Sequence, residues 1–374
     1  MSTNDFPCKS SNIYDKNINF LFGSGASASY IPTLHVRNGK TYEDLLTNSD
    51  VRADNDLINF TLHSYYKNII EKTFCTPKKP FPQNYIDTIK SYSDFLEELV
   101  FLLEKKGSNQ IRRANIFTTN YDLFFENAAD NILNRKVFNL NDGALGFKKR
   151  KLSISNFHLT SWHQGTHDMY KHELPSINLI KMHGSVSWNR NENEEITISY
   201  PSRSPDVVEL ECEKNICDFS EAVFETGDVL KRFLNLSDED SEELEKFMTF
   251  YKSLAIVNPT KEKFSETVFQ QHYYQSLRLL SYELEKPQTV LICFGFSFQD
   301  EHILEIIKRS LSNPTLRVFV FCYNTGSKSQ ISSLINDSRI SFIYPKSDGH
   351  NINFDKFIDR VFRNDNGDWI SWTN

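Results

Sequence analysis

Four hydrophobic segments of this chain each end in small or polar residues of the kinds that bind nucleotides or move protons. They are residues 20–27, 116–127, 179–185 and 291–297. Each begins with the apolar run of a buried strand. In an open parallel sheet the carboxyl ends of the strands lie at one edge, and ligands bind beyond that edge. We therefore expect the four ends to share one crevice.

The second and third segments carry the polar groups best suited to catalysis, namely Asn120, Asp122 and His183, of which Asn120 cannot act as a base. A histidine at a strand end is more often structural than catalytic, but a crevice beside it favours a base that deprotonates water or a ribose hydroxyl. The Asn120 amide can hold that water or hydroxyl in place, and Asp122 can accept a hydrogen bond from a carboxamide or hydroxyl.

The first segment ends in a run of small residues, 23–27, between a strand and a helix. Small side chains and exposed backbone amides would let a pyrophosphate approach closely. The run lacks both the full Gly-x-Gly-x-x-Gly pattern and a Gly-Lys-Ser/Thr triplet, which disfavours a hydride-transfer dehydrogenase. On the residues alone, phosphate binding and a tight turn stay equally open.

The overall composition is that of a globular protein, with 374 residues, 39% hydrophobic and 24% charged. The formal net charge of −7 argues against a broad phosphate-binding face. We therefore expect no direct sequence-specific binding of nucleic acid.

The cysteines and the N-terminus indicate a cytoplasmic protein that does not enter a membrane. The six cysteines are scattered, as in a reducing compartment. The N-terminal sequence lacks the pattern of a signal peptide, and no stretch approaches the roughly 20 apolar residues of a membrane span. The histidines at 158, 163, 167 and 172 are interpreted as a loop with scattered side chains, and no metal site is expected.

Strand and helix patterns alternate along the chain and predict an α/β fold with a doubly wound, Rossmann-like parallel sheet and a mostly helical insertion. A further short strand is expected near Val137. We interpret residues 1–374 as a single domain. Its sheet core is predicted at about 14–34, 111–140, 177–200 and 286–350, and its helical insertions at about 41–106 and 201–285.

With these residues identified, the chain resembles the sirtuin-like (silent information regulator) family, specifically its bacterial defence branch. Five short motifs in the family's order carry the resemblance. The family's Gly-Ala-Gly-Ile-Ser, Gln-Asn-Ile-Asp, His-Gly, Gly-Thr-Ser and adenosine-side Asn resemble residues 23–27, 119–122, 183–184, 295–297 and Asn324, respectively.

The resemblance implies a role for each matching position. Asn120 and His183 would be the catalytic pair, and Asp122 would recognise the nicotinamide half of NAD. The implied cofactor contacts are Gly23, Ser24, Gly25, Ala26, Ser27, Asp122, Gly295, Ser297 and Asn324.

Two departures from the family pattern point to the reaction. The region after His183 offers only Cys212 and Cys217, two ligands short of the tetrahedral zinc site of deacetylating sirtuins, so the zinc module is expected to be missing. The Pro-Asp-Phe-Arg segment of deacetylases is replaced by residues 31–34, Ile-Pro-Thr-Leu. Without an acyl-lysine groove, water is the expected acceptor, which gives hydrolysis of NAD to ADP-ribose and nicotinamide.

The defence branch also implies partners and a setting. The chain resembles the homo-oligomeric NADase partner of a HerA-type ATPase, which would deplete cellular NAD when phage infection is sensed. Two alternatives stay open. The chain could be a non-catalytic NAD or ADP-ribose sensor that acts through assembly, or an NAD-dependent protein deacylase or ADP-ribosyltransferase.

Overall fold

The structure is a computed structural model of the chain. It describes residues 10–37, 39–107, 109–166, 170–190, 195–201, 203–205, 207, 216–221, 223–224, 238–259, 267–346, 349–363 and 369–373.

Sixteen strands are present among the described residues, and eight of them form the main sheet. In chain order they are β1 (Asn17–Phe22), β2 (His35–Arg37), β3 (Lys40–Thr41), β4 (Arg113–Thr118), β5 (Asn139–Asn141), β6 (Ala144–Leu145), β7 (Arg150–Leu152), β8 (Trp162–Gln164), β9 (Lys171–Glu173), β10 (Ser176–Lys181), β11 (Trp188–Arg190), β12 (Ile196–Ile198), β13 (Thr289–Phe294), β14 (Arg317–Phe321), β15 (Ile340–Pro345) and β16 (Trp369–Thr373).

The helices surround that sheet and fill most of the segment between β1 and β4. In chain order they are α1 (Ser10–Ile13), α2 (Tyr42–Thr47), α3 (Ser49–Arg52), α4 (Asn55–Tyr65), α5 (Glu71–Thr73), α6 (Gln83–Glu104), α7 (Phe124–Leu133), α8 (Ile216–Glu221), α9 (Asp238–Tyr251), α10 (Thr267–Glu285), α11 (Glu301–Ser310), α12 (Thr325–Leu334) and α13 (Phe354–Phe362). A π-helical turn, Tyr66–Ile70, joins α4 to α5.

The main sheet runs in the order β16-β15-β14-β13-β1-β4-β10-β5. All neighbours pair in parallel except β15 and β16, which are antiparallel. From β1 the chain first builds the β4 side of the sheet and later crosses to place β13 on the other side. The strand order therefore reverses around β1, which is the position where open α/β sheets form a ligand crevice.

Both faces of the sheet are buried, as strand β1 illustrates. Phe20 and Phe22 belong to one hydrophobic cluster, which includes Phe95 of α6, whereas Leu21 belongs to a second cluster with Ile303 of α11. Because successive side chains of a strand point to opposite faces, helices must cover both sides. The predicted doubly wound α/β fold is confirmed.

A row of four asparagines, of which Asn19, Asn115 and Asn178 are buried, fixes the register of four neighbouring strands. Asn115 Nδ2 donates to Asn19 Oδ1 at 2.8 Å, and Asn178 Nδ2 donates to Asn115 Oδ1 at 2.8 Å. Asn141 Nδ2 extends the row to Asn178 Oδ1 at 3.1 Å. The same residues are register partners in the sheet. A slip of one residue would break these buried hydrogen bonds and turn the amides toward apolar neighbours, so the row selects one alignment of the strand ends.

The boundaries differ from the sequence prediction in several places. The strand expected near Val137 is β5, Asn139–Asn141, and Val137 itself is exposed. The predicted core range 177–200 contains β10, but β11 and β12 join a separate antiparallel sheet of order β11-β12-β7-β6. Helix α13 and strand β16 follow the predicted core. The hydrophobic pattern of a three-residue strand is too short to separate from that of a loop.

Among the described residues, no helix combines the length and apolar character required to cross a membrane.

Candidate active site

The ends of four adjacent strands, β13, β1, β4 and β10, open into one cleft of about 170 Å³. Most of the site residues predicted from the sequence line it. These are Gly23, Ser24, Ser27, Asn120, Asp122, His183, Gly295 and Ser297. The insertion between β1 and β4 closes one side with Glu43, Tyr65, Ile69 and Thr73.

A larger concavity of about 350 Å³ lies between α10 and α11, away from the strand ends. Its walls are mostly long surface side chains such as Arg278, Tyr282 and Arg309, and no predicted site residue reaches it. We place the candidate site in the smaller cleft because buried polar groups converge there.

The loops after β1 and β13 touch so closely that glycine is required in both. A Cβ on Gly23 would lie 2.5 Å from the carbonyl oxygen of Gly295. A Cβ on Gly295 would lie 2.4 Å from the Ala26 nitrogen, and Gly295 also has a φ of +65°. Gly25 makes a similar approach to Gly295. The glycine pattern of these loops is thus explained by their mutual packing.

Most backbone amides of residues 23–27 already donate within the protein. Gly23 donates to Phe294 O at 3.2 Å, and Gly25 donates to Gly295 O at 2.9 Å. The amides of Ala26 and Ser27 donate to carbonyls of the same loop. A phosphate at this loop would therefore rely mainly on the exposed Ser24, and the predicted phosphate role of residues 23–27 stays a prediction.

Ser27 links the two polar residues that follow β4. Asn120 Nδ2 donates to Ser27 Oγ at 3.4 Å, and Ser27 Oγ donates to Asp122 Oδ2 at 3.2 Å. Asp122 Oδ1 accepts from the Phe124 amide at the start of α7 at 3.3 Å. These bonds fix the two side chains, and Asn120 Oδ1 is the acceptor suited to a water or a ribose hydroxyl.

Beneath Asp122 lies a buried ion pair between Lys181 and Glu126. Lys181 Nζ is 2.8 Å from Glu126 Oε1 and also donates to the Asp122 carbonyl oxygen. Burial raises the pKa of the Asp122 carboxyl, and the Lys181 charge partly opposes that rise. Burial likewise raises the pKa of Glu126. The two charges of the pair offset each other, and Lys181 holds the Asp122 backbone in place through its carbonyl oxygen.

His183 is held at the end of β10 by a segment from the second helical insertion. Its carbonyl accepts from the Val257 amide at 2.8 Å, and the Ser185 amide donates to Ala255 O at 3.1 Å. Gly184 has a φ of +88°, and a Cβ there would lie 2.1 Å from Ala255 O. The glycine after His183 is therefore a packing requirement of this clamp.

The His183 ring contacts a carboxylate that the sequence prediction missed. His183 Nε2 lies 3.1 Å from Asp300 Oδ2, and the Tyr273 hydroxyl donates to Asp300 at 3.2 Å. The Asp300 side chain also caps helix α11 by accepting from the amides of His302 and Ile303. The sequence after Asp300 has the pattern of a helix start, which indicates the cap. No sequence pattern links Asp300 to His183.

The backbone before Asp300 is strained. Phe298 is buried and has a φ of +60°, a conformation that is unfavourable for an aromatic residue. Its ring packs edge-on against Phe296 at 5.0 Å. Strain of this kind persists where surrounding packing imposes it, and Phe298 lies two residues before Asp300.

The remaining predicted positions lie outside the cleft lining. Gly25 is exposed but does not line the cleft, and Ala26 is buried. Asn324 follows β14, the next strand beyond β13, and its Oδ1 caps α12 by accepting from the Ser327 amide at 2.8 Å. The cap accounts for this asparagine locally, and its adenosine-side role stays a prediction.

The histidine-rich segment forms a small hairpin in part. His163 of β8 faces His172 of β9 across the pair, where a loop was expected. His167 and Cys212 lie outside the described residues. Within the described ranges, no group of three or more His, Cys, Asp or Glu side chains is placed to hold a metal ion. The expected lack of a zinc module stays a prediction.

A scan against protein-family models and a search of curated proteins each gave no match for this chain. The resemblance to sirtuins therefore rests on the five short motifs.

Proposed function

We propose that this chain is an NAD hydrolase that cleaves NAD to ADP-ribose and nicotinamide. The observation that carries the proposal is the meeting of Asn120, Asp122 and His183 in one cleft at the reversal of strand order, beside the loops after β1 and β13. A potential base, an amide acceptor and a buried carboxylate together meet the requirements of N-glycosidic hydrolysis.

The order of the strands suits a dinucleotide laid across their ends. The residues assigned by resemblance to nicotinamide, pyrophosphate and adenosine follow β4, β1 and β14, in that spatial order. His183 follows β10, and four strand-to-strand spacings separate β10 from β14. The distance across the sheet between these two strands is therefore about 19 Å. The cleft volume of about 170 Å³ is below the roughly 300–1,000 Å³ of typical ligand sites. The proposal therefore places only the nicotinamide ribose half in the cleft and extends the adenosine half along the strand ends toward β14.

The reaction needs one bond to break and one to form. The bond between C1′ of the ribose and the nicotinamide nitrogen breaks, and its electron pair leaves with nicotinamide. Water adds to the ribosyl cation at C1′ and loses a proton. His183 accepts this proton and passes it to solvent, while Asn120 Oδ1 holds the water.

The test is nicotinamide release by the purified chain, alone and with its ATPase partner. Asn120→Ala and His183→Ala should each lower the rate by at least about 100-fold, the usual contribution of a positioned base. Asn134→Ala and His35→Ala exchange the same residue types at exposed positions outside the cleft and should retain the rate.

The site variants also separate the rival functions. A folded double variant, Asn120→Ala with His183→Ala, that still releases nicotinamide at the parent rate would end the proposal. Tight NAD binding without turnover under every condition would favour the sensor. Radiolabelled NAD that leaves its label on protein, or on an acylated ADP-ribose, would favour transfer.

The proposal extends to the setting that the resemblance implies. The chain acts in the cytoplasm as a homo-oligomer with a HerA-type ATPase and lowers cellular NAD during phage infection. Mass photometry of the chain with and without that ATPase tests the assembly. A monomer that gains no mass when the ATPase is added would refute it without affecting hydrolysis by the isolated chain.

A further inference from the structure

We propose that Asp300 is a positioning residue that fixes the His183 ring with its proton on Nε2, so that Nδ1 is the atom that accepts the proton from water. This inference rests on the proposed hydrolase function for its kinetic consequence. The structural consequence of the inference, the tautomer of His183, does not depend on the hydrolase function.

The two oxygens of Asp300 share the Tyr273 hydroxyl but differ in their other partners. Oδ1 accepts from the backbone amides of His302 and Ile303 at 3.1 Å each. Oδ2 lies 3.1 Å from His183 Nε2. Since a carboxylate only accepts hydrogen bonds, a hydrogen bond across this contact places a proton on Nε2. The opposite nitrogen, Nδ1, then carries the lone pair that a base needs.

The surroundings hold the carboxylate in this orientation. The Asp300 side chain is 5% exposed, and the His183 side chain is 12% exposed. The Tyr273 hydroxyl donates to both oxygens, at 3.2 and 3.3 Å. Burial and the neighbouring Asp300 raise the pKa of Tyr273 well above its ordinary value, so the hydroxyl keeps its proton and stays a donor. The helix cap and the tyrosine thus hold the carboxylate with Oδ2 at 3.1 Å from His183 Nε2.

Asp300→Asn is an informative substitution because the helix cap fixes the orientation of the new amide. The amides of His302 and Ile303 need an acceptor, so the asparagine oxygen takes the place of Oδ1. Its NH₂ group then faces His183 Nε2 and can only donate. The ring must accept at Nε2 and carry its proton on Nδ1, so Nδ1 loses the lone pair that the proposal requires.

The first measurement is the tautomer itself, by ring ¹⁵N resonances of histidine-labelled full-length protein without NAD, at about pH 8, above the ordinary histidine pKa. The chain has ten histidines, and the His183 signal is the one that disappears in His183→Gln. The parent should show a proton on Nε2 alone, and Asp300→Asn should show it on Nδ1. A parent ring protonated on Nδ1 alone, on both nitrogens or equally on either overturns the proposal.

The second measurement is steady-state hydrolysis of NAD. Asp300→Asn should lower kcat by at least about 100-fold, since a wrong tautomer at an Asp–His pair costs about 10⁴-fold in a serine protease, and should change KM by less than about threefold. Asn353→Ala removes the cap of α13 and should alter neither kcat nor the tautomer. A parent-like kcat in folded Asp300→Asn refutes the positioning role.

The two measurements separate the two proposals. If the parent releases no nicotinamide but shows the expected tautomer and its reversal in Asp300→Asn, hydrolysis fails and the arrangement of His183 stands. If the parent hydrolyses NAD but the tautomer does not reverse, hydrolysis stands and the role of Asp300 fails.

Discussion

Acid should destabilise this protein partly through one buried histidine, His272 of helix α10. The ring packs edge-on against Trp188 at a centroid distance of 4.7 Å, and Nε2 lies 3.2 Å from Ser276 Oγ and 3.4 Å from the Lys181 carbonyl oxygen. Burial lowers the pKa of His272 from 6.5 to about 4, and the weak bond to Lys181 opposes the shift only slightly.

The sign and size follow from the two pKa values. Between pH 6.5 and about 4 the unfolded chain binds a proton at this position, whereas the folded chain does not. The stability that neutral His272 contributes is therefore fully present above pH 6.5, and the free energy of unfolding decreases as the pH falls from 6.5 toward 4. The difference of about 2.5 pH units corresponds to about 3 kcal/mol.

The assay is urea unfolding between about pH 7 and 4, followed by intrinsic fluorescence, for the parent and His272→Gln. Gln retains a donor near the position of Nε2 but does not titrate. Between about pH 7 and 4 the free energy of unfolding of His272→Gln should therefore fall by about 3 kcal/mol less than that of the parent. The comparison must be between variants, because Asp122 and Glu126 have raised pKa values and favour the folded state as the pH falls. The exposed His35→Gln should follow the parent. If His272→Gln shows the parent's dependence on pH, the reasoning is wrong.

Three further substitutions test the scaffold by chemical unfolding. Asn115→Ala should lower the free energy of unfolding by about 2–4 kcal/mol, because its buried neighbours Asn19 and Asn178 each lose a hydrogen-bond partner. A loss below about 0.5 kcal/mol would show that the asparagine row does not hold the strand register. Gly184→Ala should lower the free energy of unfolding by at least about 2 kcal/mol, because Gly184 has a positive φ and a Cβ there would lie 2.1 Å from a carbonyl oxygen. Gly107→Ala, where a Cβ meets open space, should be neutral. Equal effects of the two substitutions would contradict the packing argument. Lys181→Met should cost about 3–5 kcal/mol by leaving Glu126 buried without its charge partner, and the added change Glu126→Leu should recover most of the loss; no recovery would count against the ion pair.

The fold class was predictable because its signal is local and repeated. The apolar runs that became β1, β4, β10, β13, β14 and β15 are five or six residues long, and at least one helix lies between each run and the next. That alternation predicts a parallel doubly wound sheet. The strands β5, β6, β7, β11 and β12 are only two or three residues long, and β5 and β7 pair with strands from distant parts of the chain, β10 and β12. Their local patterns resemble those of loops, so their pairing could not be predicted.

The sequence by itself determined which residue types end the central strands, and therefore that Asn120, Asp122 and His183 meet at one edge of the sheet. The tertiary structure decided what each of them touches. Asp300 and Tyr273 approach His183 only because β13 lies beside β1 and α10 packs against α11. Contacts between residues so far apart in the chain arise from packing and buried hydrogen bonding, which no local pattern encodes.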